Sequence, residues 1–422
     1  MIALRGSGWV KTAAALCLIG SVLLCGCSAS EDKPVVSERV QPLTDVTDTQ
    51  ADTEAVAESE SLEVVAQIPE ETQEEEAPAT VRMIMIGDML MHQGVMDSGM
   101  KEDGSYQYDH LFANILDNIQ AADIAIVNQE TILGGTELGL SSYPSFNSPK
   151  EVGKAEAEAG FNVILFGTNH ALDKGAKGIS NTIDYLETNY PEVAYLGINK
   201  SQEAQDNNIY VYEKDDLSIA ILNYTYGTNG ISPPADMPYL VNYLNEDKVT
   251  ADIAKAHELA DFVVVCPHWG TEYNLGTDSY QQKWTQIFLE NGVDLVIGAH
   301  PHVIEPIEWV SDDEGHEMLV YYSLGNFVTG TASTGTGVAK RVVAGMADVT
   351  IGIDEEGEAV IVESDVVPLI CHVGIKEEYT VYPLEEYTQE LAVTNRVLNN
   401  DSNFSLQYCK DLVEEVWGKS YP

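Results

Sequence analysis

Five apolar runs in this chain stop abruptly on a polar, metal-friendly side chain: MIMIGD at Asp88, ADIAIVNQE at Glu130, FNVILFGTNH at His170, DFVVVCPH at His268 and VDLVIGAHPH at His302. Unbroken runs of Val, Ile and Leu mark strands buried on both faces, which occur in sheets covered by helices. In such sheets ligands gather beyond the carboxyl ends of the strands. Five polar strand ends scattered through the sequence are therefore expected to meet in one cleft.

The segments between them fit that scheme. From Val81 onward, strand-like runs alternate with helical stretches at His110–Ala122, Lys150–Gly160, Gly178–Asn189, Asp247–Ala260 and Tyr280–Asn291. This rhythm builds crossover units in a layered α/β domain. NIYVYEKDDLSIAILNYTYG reads as a hairpin turning at Lys214-Asp215-Asp216. After Pro301 the pattern is mostly β, and helices are predicted over Leu384–Leu398 and Ser405–Trp417. The expected fold is α/β, a four-layer α/β/β/α sandwich spanning 81–422 as one domain.

Residues 1–80 do not read as part of it. Arg5 and Lys11 precede an apolar run from Ala13 to Leu24 that ends in Leu24-Cys25-Gly26-Cys27. That run is short of the roughly 20 residues needed to span a bilayer, so 1–27 reads as a lipoprotein signal peptide with Cys27 lipidated. Residues 28–80 carry fifteen acids against two bases and too little apolar surface to offset ordering, which makes them a disordered acidic linker. The expected location is extracytoplasmic, attached to the cell membrane as a lipoprotein. A net charge of -47 argues against nucleic acid as a partner, since phosphate binding depends on Lys and Arg. Cys266 reads as a small buried hydrophobe, and Cys371 and Cys409 could pair in an oxidising compartment.

Within GAHPH, a two-residue side-chain repeat would place His300 and His302 on one side of an extended segment. Two imidazoles on one face can grip one metal or straddle two. His268 alone would read as a structural hydrogen-bonder; the other strand ends make it a candidate ligand. Asn169 offers an amide oxygen, and His170 could stand above the metals as a proton donor. Asp88 and Glu130 are carboxylates just outside buried strands, costly there unless hydrated, hydrogen-bonded or metal-bound. His92 could be a ligand or a loop residue, Asn128 lies on the same face as Glu130, and Asp173 could orient an imidazole. His110, His257, His316 and His372 read as surface or packing residues.

Taken in order, GDMLMH, NQE, TNHALDKG, PHWGTEY, GAHPHV and SLGNF resemble the CapA-type poly-γ-glutamate capsule biosynthesis family, a branch of the calcineurin-like metallophosphatases. The resemblance implies that fold and a dinuclear centre, with Asp88 and His302 on one metal, Asn169, His268 and His300 on the other, and Glu130 bridging. It gives His170 the general-acid role. The chain departs from the broader phosphatases in having Leu90 where they place a His and NQE where they use GDxxD. Ala299 stands where a further His often precedes HPH in the capsule family. A ligand set of His, Asn and carboxylate without Cys suits two divalent ions, Mn, Fe or Zn. The implied function is a metal-dependent hydrolase or transferase of capsular polymer biosynthesis, acting on an anionic polymer or phosphoester. Capsule polymer synthase or export proteins are the implied partners. The alternative is a non-catalytic component that binds polymer through metal during export.

Overall fold

The computed structural model describes residues 80–330 and 333–420. The expected signal peptide, Cys27 and the spacer up to residue 79 lie outside the described residues, and Thr80 already belongs to the first strand. The chain opens one sheet with β1 (Thr80–Asp88), β2 (Ile124–Asn128), β3 (Val163–Leu165) and β4 (Ala194–Leu196), then crosses to a second. There it lays down β5 (Tyr210–Lys214), β6 (Leu217–Thr225), β7 (Phe262–His268), β8 (Leu295–Ile297), β9 (Ile307–Ser311) and β10 (Glu317–Tyr321). It returns to the first with β11 (Val343–Ile353), β12 (Ala359–His372) and β13 (Thr380–Pro383). The orders are β13-β12-β11-β1-β2-β3-β4 and β5-β6-β7-β8-β10-β9. β1 to β4 run parallel, as do β6, β7, β8 and β10, with antiparallel strands at the flanks.

Side-chain alternation sets the layers. Met83 and Met85 of β1, Ile124 and Ile126 of β2, and Val264 and Cys266 of β7 fill a core shared by both sheets. Their neighbours Ile84, Ile86, Ala125 and Val127 face outward beneath the helices Glu151–Ala159 and Gly175–Asn189. Val263 and Val265 face the other way, beneath Glu246–His257 and Ser279–Glu290. The result is the expected α/β/β/α sandwich. Asp215, at a φ of 53°, makes the turn of the predicted β5–β6 hairpin.

Two expectations need correction, and the open question of a Cys371–Cys409 pair is answered. The helix predicted over His110–Ala122 is an α-helix only at Leu116–Gln120, because Asn114 turns its amide to Val381 O (2.9 Å) and ties the segment to β13. Leu384–Leu398 breaks into short turns because Thr388 and Asn395 act as N-caps, accepting from Leu391 N (3.3 Å) and Val397 N (3.0 Å). Cys371 and Cys409 are buried free thiols, so no bridge joins them. Among the described residues, no helix is long and apolar enough to cross a membrane.

Candidate metal centre

Each predicted metal ligand lies at or just beyond the carboxyl end of a strand. Asp88 ends β1, Asn128 ends β2 and His268 ends β7, while Glu130, Asn169, His300 and His302 follow β2, β3 and β8. Asp88, Glu130, His268, His300 and His302 are all buried. Their ligating atoms form two clusters, Asp88–Glu130–His302 and Glu130–His268–His300, in each of which every pair lies within 4.8 Å. Glu130 belongs to both. Its Oε1 is 3.7 Å from His302 Nε2 and 3.9 Å from His268 Nε2. Asn169 Oδ1 lies 3.1 Å from the same His268 nitrogen.

Surrounding side chains fix these groups. Asn128 Nδ2 donates to Asp88 Oδ1 (2.8 Å), so Asn128 holds a candidate ligand in place. His302 Nδ1 lies 3.1 Å from Asp88 Oδ2 and 3.0 Å from Asn326 Oδ1. Two acceptors at that nitrogen require it to carry a proton, which turns Nε2 toward Glu130. Trp269 donates its indole N–H to Tyr322 O (2.9 Å) and locks the turn behind His268. Gly298 is required there: a Cβ would sit 2.2 Å from Tyr322 O.

The electrostatics point to a cation. Burial pushes the Glu130 carboxyl well up, nearby His302 pulls it down and Asp88 adds to the rise. Burial drives His268 and His300 well down, and the neighbouring imidazoles reinforce it. Burial would also lower His302, but Glu130 and Asp88 outweigh it and hold that ring up to about 9. Both Glu130 oxygens and His300 Nδ1 are buried with no hydrogen-bond partner. An uncompensated buried carboxylate costs several kcal/mol. Divalent ions held by the two clusters would compensate these atoms, and oxygen and imidazole donors fit such ions.

His170 and Asp173 form a separate pair. His170 Nδ1 lies 2.7 Å from Asp173 Oδ2, which also accepts from Phe146 N (2.6 Å), while His170 Nε2 stands 3.9 Å from Glu130 Oε1. Asp173 therefore orients the imidazole on the wall of a cavity of about 1020 Å³. His92 lines this cavity too but belongs to neither cluster; its Nδ1 accepts from Gly330 N (3.2 Å), and burial, then the His302 charge, push it down to about 3.

His300 and His302 converge by a different route from the one their spacing suggests. β8 ends at Ile297, and the two histidines have φ of 101° and 58°, so a left-handed loop rather than an extended strand aims them. Such backbone costs about 1–3 kcal/mol per residue and persists where surroundings impose it. Sequence reasoning missed Tyr226, whose ring lies 4.6 Å from that of His300, and Asn229, whose amide lies 3.4 Å from His170 Nδ1. The signal was present: LSIAILNYT is another apolar run that ends on polar residues.

Residues 82–331 match the family described as bacterial capsule synthesis protein PGA_cap. The chain belongs to this family. It is 28% identical over 255 residues to the capsule biosynthesis protein CapA of Bacillus anthracis, covering 58% of this chain and 59% of that protein. Its identity to the PGA biosynthesis protein CapA of Bacillus subtilis (strain 168) is also 28%, over 266 residues, covering 61% and 62%. The match thus spans about three-fifths of the length of these curated relatives. Among solved structures, a phosphatase from Mycoplasma pneumoniae aligns with a TM-score of 0.42 and 17% identity, over 70% of this chain and 95% of that one. The NAD nucleotidase of Haemophilus influenzae aligns at 0.44 and 12%, over 69% and 58%.

Proposed function

We propose that this PGA_cap protein is a metal-dependent hydrolase or transferase of capsular polymer biosynthesis, acting on an anionic substrate outside the cytoplasmic membrane. The observation that carries the reading is the shared carboxylate: Glu130 sits in both clusters, fully buried, with neither oxygen hydrogen-bonded. Asp88, Glu130 and His302 would hold one ion, and Glu130, Asn169, His268 and His300 a second, Mn, Fe or Zn. Bound there, such ions supply Lewis acidity and an activated water. The remaining steps fall to the chain itself. Asn128 and Asn326 fix Asp88 and His302, while Asp173 holds His170 so that Nε2 faces the cleft to protonate a leaving group. A component that only bound polymer would have no use for the His170–Asp173 pair.

Metal analysis of the full chain tests this. His302→Ala and Glu130→Ala should lose bound metal, whereas His170→Ala should keep it. Full metal content in a His268→Ala/His302→Ala double variant would end the proposal. Anchoring is part of the same reading, supported by the leader sequence through Cys27. Cys27→Ala should release the protein from the membrane fraction; unchanged fractionation and processing would remove the lipid anchor.

A further inference from the structure

The cavity beside the metal centre carries charge of the opposite sign to the rest of the chain. Aspartate and glutamate number 68 against 21 lysines and arginines. Yet among the described residues lining the cavity the permanent cations are Arg341 and Arg396, and Glu272 is the only carboxylate. Arg341 is placed with care. Its guanidinium lies 3.6 Å from the centre of the Tyr273 ring, and Tyr273 lies 5.9 Å from His302. Asn326 donates to both Arg341 O (2.9 Å) and His302 O (3.0 Å), which locks the arginine's backbone to the candidate ligand loop. Tyr273 is pinned from two sides, with its N–H on Pro301 O (2.7 Å) and its carbonyl accepting from Lys340 Nζ (2.5 Å). Arg341 Nε is nevertheless buried with no partner, and among the described residues neither Arg341 nor Arg396 makes an ion pair.

An oriented guanidinium without an acceptor, facing a large cavity, is a recognition group awaiting an anion. We propose that Arg341, with Arg396 on the outer wall, forms an oxyanion subsite that grips a carboxylate or phosphate on the non-reacting part of the substrate. This rests on the reading of the cleft as a substrate site and adds how an acidic ligand is held in a strongly acidic protein. The cavity, at about 1020 Å³, is at the top of the roughly 300–1,000 Å³ range of small-molecule sites, so it has room for a charged group beyond the reacting one. Tyr273 supplies a flat support that keeps the fork rigid, which limits the entropy lost on binding.

Calorimetric titration of the full chain, metal-free and metal-loaded, with inorganic phosphate and with glutarate tests the subsite. The wild type should bind at least one probe. Arg341→Gln should weaken that binding about tenfold or more, with metal content unchanged. Arg341→Lys should fall between, because it keeps the charge but loses the fork. Arg396→Gln should cost less and flatten the salt dependence. The probe that responds identifies the anion as phosphate or carboxylate. If Arg341→Gln loses its melting transition, Arg341→Lys and the exposed Arg396→Gln carry the test. Affinities unchanged within about twofold, or no binding of either probe by the wild type, would overturn the subsite. Failure of the metal reading would show instead in the metal analysis, and the metal-free titrations would still report on the arginines.

Discussion

His170 has Nδ1 committed to Asp173, while Nε2 lies 3.5 Å from Asn229 Nδ2 and 3.9 Å from Glu130 Oε1. With Nδ1 held 2.7 Å from Asp173 Oδ2, the ring cannot rotate without breaking a charge-assisted contact in a nearly dry setting, so Nε2 stays aimed at the cleft. Two substitutions separate this role from metal binding. His170→Ala should lower turnover by about 10²–10⁴-fold at constant metal content. Asp173→Asn should lower it by about 10–100-fold, since orientation is lost but the imidazole remains. Because Asp173 acts through His170, the double variant should be no slower than His170→Ala. Losses that multiply instead would show that Asp173 serves the site by some other route, such as its hold on Phe146 N (2.6 Å).

The strand ends are where sequence and structure agree most closely, and the loops beyond them are where they part. Asp88, Asn128 and His268 were legible because each closes a buried strand whose apolar grammar is local. The convergence of His300 and His302 was legible in outcome but not in cause, because their positive φ belongs to a loop conformation that the spacing of GAHPH does not encode. Arg341 and Arg396 gave no signal at all: nothing in their neighbourhoods marks them, and only tertiary contacts bring them to the cavity. Asn326 lay in plain view within SLGNF, but its bond to His302 joins segments that no local pattern relates. The left-handed loop makes a testable claim. In Gly298→Ala the new methyl meets Tyr322 O at 2.2 Å and Trp269 Nε1 at 2.4 Å, both held in place by their own hydrogen bond. Thermal melting should show a loss of about 1–3 kcal/mol, and metal affinity should fall because the loop carrying His300 must shift. Normal stability with normal metal content would show that the loop tolerates a second register.

At the scale of the whole molecule, two buried carboxyls outside the candidate metal clusters, Glu305 and Asp294, each contribute stability that is present in acid and lost as pH rises. Glu305 ties the loop after His302 to two helices: its Oε2 accepts from Gln281 Nε2 (2.6 Å) and its carbonyl from the Trp417 indole (2.8 Å), while Oε1 is buried without a partner. Burial pushes this carboxyl from 4.5 up to about 8, the Gln281 bond only partly opposing it, and burial likewise lifts Asp294 from 3.8 to about 6. Between the unfolded and folded values the native state keeps a proton that the unfolded chain has released. Unfolding free energy therefore falls as pH rises through that window, steepest for Glu305 from about 4.5 to about 8. At about 1.4 kcal/mol per unit, the loss from Glu305 is at most about 5 kcal/mol. Glu305→Gln mimics the protonated form and keeps an acceptor for Gln281, so it should match the wild type near pH 4 and exceed it increasingly toward pH 8. Urea melts in chelator measure this, because titration of the metal-centre residues is common to both proteins and cancels in the difference. Parallel stability curves for the two proteins would show that Glu305 ionises in the folded state much as it does in the unfolded chain.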